Sequence, residues 1–154
     1  MAQFLLITTL LSIAGLIATA VMGFTSSPHH VATHILFALV TVIAGLFSQS
    51  MTMFFFIGTG KQLKEKVAGS NAEATVKQAT RALAMRVSPA ATYAMAILMV
   101  LFITGGGVSS GRTPRWLHLT LTIASIILYV RAYWIEVRAM AESARLIETY
   151  MGSD

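Results

Sequence analysis

The chain has 154 residues, of which 56% are hydrophobic and only 11% charged, and its mean hydropathy is +0.73. A soluble domain carries about 25% charged residues, so this composition excludes both an ordinary water-soluble globule and a disordered chain. With no cysteine and a net charge of +5, disulfide frameworks, iron–sulfur clusters and thiol catalysis are excluded, and the basic excess points to cytoplasmic loops on anionic lipid rather than to nucleic acid.

A helix needs about 20 apolar residues to cross a bilayer. Uncharged or nearly uncharged runs of that length recur along the chain and predict spans at 4–24, 29–60, 89–108 and 114–136. Strand-like alternation over segments of about 10 residues is missing, which argues against a barrel. The expected fold is therefore a single domain, an all-α integral membrane protein with a four-helix bundle running up-down-up-down.

Span one contains Ala18-Thr19-Ala20, a signal-peptidase-like triplet. No basic segment precedes it and the apolar run is long, so it reads as a retained helix. The three prolines follow hydroxyl residues, in Ser27-Pro28, Ser88-Pro89 and Thr113-Pro114. A hydroxyl residue caps a helix N-terminus and proline suits the first helical position, so each pair is expected to open span two, three or four. Span two should continue through Lys61 to Val67 and stop at Gly69. Within the loop 61–88, Ser70-Asn71-Ala72-Glu73 has the form of a capping box and predicts a separate cytoplasmic helix over about 72–87. Span four should run on as a cytoplasmic helix over 137–150.

Orientation follows from the basic residues near span ends. Lys61, Lys64, Lys66, Lys77, Arg81 and Arg86 lie between spans two and three, and Arg131, Arg138 and Arg145 lie at or beyond the inner end of span four. The outer connections hold only Arg112 and Arg115. The positive-inside rule thus places both termini in the cytoplasm, with helices two and four extended into it. The expected location is a bacterial inner membrane, crossed several times.

All four histidines, His29, His30, His34 and His118, lie near the outward ends of spans two and four. At 1.5 Å of rise per residue, His34 is roughly 9 Å beyond Pro28 and His118 roughly 6 Å beyond Pro114, so the two should share a depth. Helical spacing from His34 reaches Thr41, Gly45, Ser48 and Thr52, and from His118 reaches Thr122, Ser125, Tyr129 and Glu136. Span one carries Thr8, Ser12, Gly15 and Thr19 on one stripe. Polar and small residues in a membrane turn toward the bundle interior, so both imidazoles should face the core.

Two such imidazoles suit the two axial positions of a haem iron. Gly45, Ala38 and Gly105 to Gly107 are small enough to admit a flat macrocycle, while Arg112, Arg115 and His30 can contact propionates. This arrangement is similar to that of the membrane b-type cytochromes, in which histidines on non-adjacent spans hold haem. The resemblance implies haem b as cofactor, electron transfer as function and a membrane quinone as a candidate partner.

Two other readings use the same residues. His30 and His34, four apart on one helical face, together with His118 form a three-imidazole set suited to zinc, copper or iron. Alternatively, the chain is a non-catalytic structural or assembly subunit holding other membrane subunits, or a second copy of itself, through its bundle. The remaining signals read as structural. Gly58-Thr59-Gly60-Lys61 has Phe55 where a phosphate loop needs glycine. Phe54, Phe55, Phe56, Tyr129, Tyr133 and Trp134 read as an inner aromatic belt and Trp116 as an outer one. Met99 is a second-choice axial ligand about a turn too deep, and Arg131 is expected to snorkel and pair with Glu136. Hydrolytic catalysis has no support, since neither a Ser–His–Asp set nor paired carboxylates occur.

Overall fold

The structure, a computed structural model, describes residues 2–25 and 31–152. Among these residues there are four helices and no strand: α1 Ala2–Thr25, α2 Val31–Lys66, α3 Glu73–Ser109 and α4 Arg115–Met151. Each contains a segment long and apolar enough to cross a membrane.

The distribution of side chains is that expected of helices surrounded by lipid. Phe4, Leu11, Ile43, Phe54, Ile103 and Ile127 are exposed, whereas Thr9, Ser48, Gln49, Thr52, Ser125 and Glu136 are buried. Apolar side chains gain little by leaving lipid, so the interior collects the groups that need one another.

Helix α1 packs on α2 and α4, and α3 packs on the same two; α2 and α4 also touch across the bundle, while α1 and α3 do not meet among the described residues. Contacts run in reverse order along each consecutive pair. Thr9 meets Ser48 and Thr19 meets Thr41; Gly45 lies against Leu98 and Gly60 against Thr80; Arg86 bonds Glu142 and Gly105 lies against His118. The diagonal contact of α2 and α4 brings both histidine-bearing helices to the bundle axis.

Several local expectations are corrected. Pro89 does not open a helix: it lies inside α3, which runs unbroken from Glu73 to Ser109. The separate helix expected over 72–87 is the first half of α3. An interior proline removes one backbone hydrogen bond and costs about 3 kcal/mol. A continuous buried stripe of Leu83, Val87, Ala91, Ala94 and Leu98 crosses the proline and offsets that cost. The capping box is split. Glu73 accepts a hydrogen bond from the Gly69 N–H at 2.8 Å and Ser70 Oγ accepts one from the Ala72 N–H at 3.3 Å, and the helix begins only at Glu73. Helix α2 ends at Lys66, and Gly69 turns the chain with φ of 76°. Pro114 caps α4 from one residue outside it, and Ser27-Pro28 lies outside the described residues. Tyr129 and Phe56 belong to the core rather than to an aromatic belt; Trp116 and Trp134 are exposed, with the Arg138 guanidinium 4.7 Å from the Trp134 ring centre.

Candidate functional site

The faces read from helical spacing do turn inward. Thr41, Gly45, Ser48 and Thr52 on α2, and Ser125, Tyr129 and Glu136 on α4, are buried; His34, His118 and Thr122 are half-buried. At the end of the bundle where α2 and α4 begin, His34 and His118 line one cavity of about 540 Å³. Its walls come from all four helices: Leu16, Thr19 and Gly23; Ala38, Thr41 and Val42; Leu101, Phe102, Gly105 and Gly106; Arg115, Leu119 and Thr122. A largely apolar wall with a few convergent polar groups is the usual character of a ligand site.

Each imidazole is seated against a glycine of a neighbouring helix. A Cβ built on Gly105 of α3 would stand 3.0 Å from His118 Cε1, and one on Gly23 of α1 would stand 3.3 Å from His34 Cε1. Carbon atoms prefer about 3.5–4.0 Å, so only glycine leaves these rings where they are.

The surroundings also orient the ring of His118. Its Nδ1 is 3.5 Å from Thr104 Oγ1, and the Thr104 hydroxyl is directed to the Val100 and Leu101 carbonyls at 2.9 Å each. Thr104 thus flanks the Nδ1 side of the ring, and the Leu101 backbone is a further hydrogen-bond partner for the imidazole. His34 Nδ1 is buried with no hydrogen-bond partner among the described residues. The two imidazoles are close enough to interact electrostatically.

Of the residues singled out in the sequence, His34, His118 and Arg115 meet at this cavity. Arg112 does not line it; it is exposed in the α3–α4 turn, tied by its N–H to the Gly107 carbonyl at 2.8 Å. Gly45 lies deeper and receives Tyr129, whose Oη would be 2.8 Å from an added Cβ. His30 is outside the described residues, and so is the three-imidazole set that depends on it; no group of three or more His, Cys, Asp or Glu side chains occurs among those described. Met99 is exposed and faces away from the cavity. Arg131 is exposed while Glu136 turns inward, so the two do not pair.

Sequence reasoning missed two features. One is the seat that Gly23 provides for His34, signalled only by a glycine near the C-terminal end of span one. The other is a second polar centre, where Glu136 is buried beside Thr9, Ser48 and Gln49. Its signal was Gln49, an amide placed in the middle of an apolar span.

No family model, curated protein or solved structure matches the chain.

Proposed function

We propose that the chain is a small b-type haem protein of a bacterial inner membrane that transfers electrons, its haem held between His34 and His118. The observation that carries this reading is that imidazoles from two diagonal helices line one cavity, with an unpartnered Nδ1 on His34. The donor set fits haem iron, for which two neutral imidazoles are a common axial pair. Arg115, on the cavity wall, is the residue placed to meet a propionate. Haem, when bound, supplies one-electron chemistry. The chain holds the two imidazoles at a common depth against Gly23 and Gly105, orients one through Thr104, and surrounds the site with apolar side chains that keep water out.

The bundle runs up-down-up-down with both termini and the α2–α3 turn in the cytoplasm, as the Lys and Arg distribution requires. The cavity then lies just inside the outer face. Most of a hydrocarbon core about 30 Å thick separates it from the cytoplasm, so its electron partners are a membrane quinol or an outward-facing carrier.

The deciding experiment is the visible spectrum of detergent-purified protein, as isolated and after dithionite. A Soret band that shifts on reduction, with sharp α and β bands, is expected in the wild type and absent from His34→Ala and His118→Ala; His30→Ala keeps it. A flat spectrum after haem supplementation refutes the proposal. Equal loss of bound zinc, copper or iron in all three variants would identify a three-histidine metal site instead, and a colourless protein co-purifying with a stable complex would identify a structural subunit.

A further inference from the structure

A second polar centre lies toward the opposite end of the bundle, and the haem reading makes no use of it. Glu136 is 1% exposed, and Thr9, Ser48, Gln49, Thr52, Ser125 and Tyr129 are each 0% exposed. Among the described residues no cation stands within ion-pairing distance of the Glu136 carboxyl. Helix α1 faces it with Thr9, and α2 with Ser48 and Gln49. Helix α3 presents the apolar Leu83 and Val87 at this end. Tyr129, on α4 itself, is the titratable neighbour, while Arg131 and Arg138 are exposed.

The hydroxyl geometry restricts what this carboxyl can be. A threonine hydroxyl has one hydrogen to donate and two lone pairs. Thr9 Oγ1 has three neighbours: the Leu5 carbonyl at 3.1 Å, Ser48 Oγ at 2.6 Å and Glu136 Oε2 at 3.3 Å. The Leu5 carbonyl can only accept, and its two lone pairs also face the Thr8 hydroxyl and the helical Thr9 N–H. Thr8 likewise donates to the Leu5 carbonyl, at 2.8 Å, and its Oγ1 lies 3.3 Å from Ser48 Oγ. Thr9 Oγ1 is the donor in its contact with Glu136 Oε2, and at 3.3 Å that contact is far longer than the about 2.5–2.7 Å of a hydroxyl bonded to a carboxylate. A bare carboxylate would have only that one long hydrogen bond to a hydroxyl. It would still leave Oε1 unpartnered, as that atom is in the structure. An isolated charge buried from water and from any counter-ion is too costly to keep and is neutralised instead.

We propose that Glu136, with Thr9, Ser48 and Gln49, is a proton-binding site in the inner half of the bundle, occupied by one proton at neutral pH. The site stands at the foot of a column of polar groups. Tyr129 is about 10 Å and Ser125 about 16 Å farther along α4, both with hydroxyls that lack partners among the described residues. Beyond them the Thr122 hydroxyl donates to the His118 carbonyl at 2.8 Å. The proton is therefore held between the inner face and the histidine cavity. This site does not depend on what the cavity binds.

Infrared difference spectroscopy of the full chain in detergent tests it. At neutral pH the wild type is expected to show the C=O stretch of a protonated carboxyl group. That band is lost in Glu136→Gln, whose amide keeps the shape, and it is displaced in Thr9→Val, which removes the hydroxyl beside the carboxyl. The Thr9→Val measurement decides the matter if Glu136→Gln does not fold. A missing band at neutral pH overturns the proposal, as does one that survives Glu136→Gln or is unmoved in Thr9→Val. A band that vanishes on adding sodium or potassium at fixed pH also overturns it, because a metal cation would then be the ligand.

Discussion

Helix α2 contains two glycines whose replacement by alanine should act in opposite directions. At Gly45 an added Cβ would stand 2.8 Å from Leu98 Cδ2, 2.8 Å from Tyr129 Oη and 3.3 Å from Tyr129 Cζ. Leu98 and Tyr129 are both fully buried, so neither can retreat toward the surface without disturbing the core. Overpacking of this kind costs about 1–3 kcal/mol, against a gain of about 0.8–1.0 kcal/mol for removing a glycine from a helix interior. At Gly58 a Cβ meets nothing within 4 Å, and only the gain applies. Gly45→Ala should thus be less stable than Gly58→Ala by about 1–3 kcal/mol, the propensity contribution cancelling. At roughly 2–4 °C per kcal/mol for a chain of this size, the separation in Tm is about 2–12 °C. Thermal unfolding of both variants in one detergent measures it. The Tyr129 hydroxyl lacks a hydrogen-bond partner among the described residues, so Tyr129→Phe removes one clashing atom at little cost of its own. Combined with Gly45→Ala it should recover part of the loss, a coupling of about 0.5–3 kcal/mol. Equal Tm values for Gly45→Ala and Gly58→Ala, or strict additivity with Tyr129→Phe, would refute this account of the α2–α4 contact.

The same logic applies at the cavity. Gly105→Ala would place a Cβ 3.0 Å from His118 Cε1, whereas Gly106→Ala meets nothing within 4 Å. If the cavity takes haem as proposed, a ring displacement worth about 1–3 kcal/mol corresponds to roughly 5- to 150-fold weaker haem uptake in the first variant only, read by titrating the purified protein with haem; equal affinities would refute the seat. In the half of the bundle away from the cavity, Arg86 bonds Glu142 at 2.6 Å with the two side chains 51% and 45% exposed. Arg86→Ala should lower stability by only about 0.2–1 kcal/mol. The loss should fade at about 1 M salt, where charges are screened within about 3 Å; a loss unaffected by salt in the melting curves would mean that packing, not charge, is involved.

The four helices and the inward faces of α2 and α4 were legible in the sequence because lipid makes the pattern coarse: long apolar runs interrupted by a few hydroxyls, glycines and imidazoles. The meeting of His34 with His118 was legible for the same reason, since both lie near the start of helices on shared polar stripes. Helix boundaries at Pro89 were not, because Ser88-Pro89 is locally a helix start and only the buried stripe from Leu83 to Leu98 overrides it. Gly45 was misplaced because small size alone does not say which neighbour uses the space; Tyr129 does. Glu136 was read as the partner of Arg131 by proximity along the chain. A separation of five residues puts them on different helical faces, and the true neighbours, Thr9 and Gln49, are on other helices.

The glycines explain how the bundle holds these polar groups at fixed depths. Gly15 lies against Thr41, Gly23 against His34, Gly45 against Tyr129 and Gly105 against His118, each pair joining neighbouring or diagonal helices. In lipid there is no hydrophobic drive to bring helices together, so close backbone approach and buried polar contacts must do it. A glycine opposite a polar side chain serves both needs, since it lets the backbones approach and gives the larger group one position to occupy. Sliding one helix by a turn would move every such side chain off its glycine at once. The two histidines therefore reach one cavity because of pairings on α1, α3 and the middle of α2, and not only because they lie at similar distances from their helix starts. Their alignment belongs to the packing of the whole bundle.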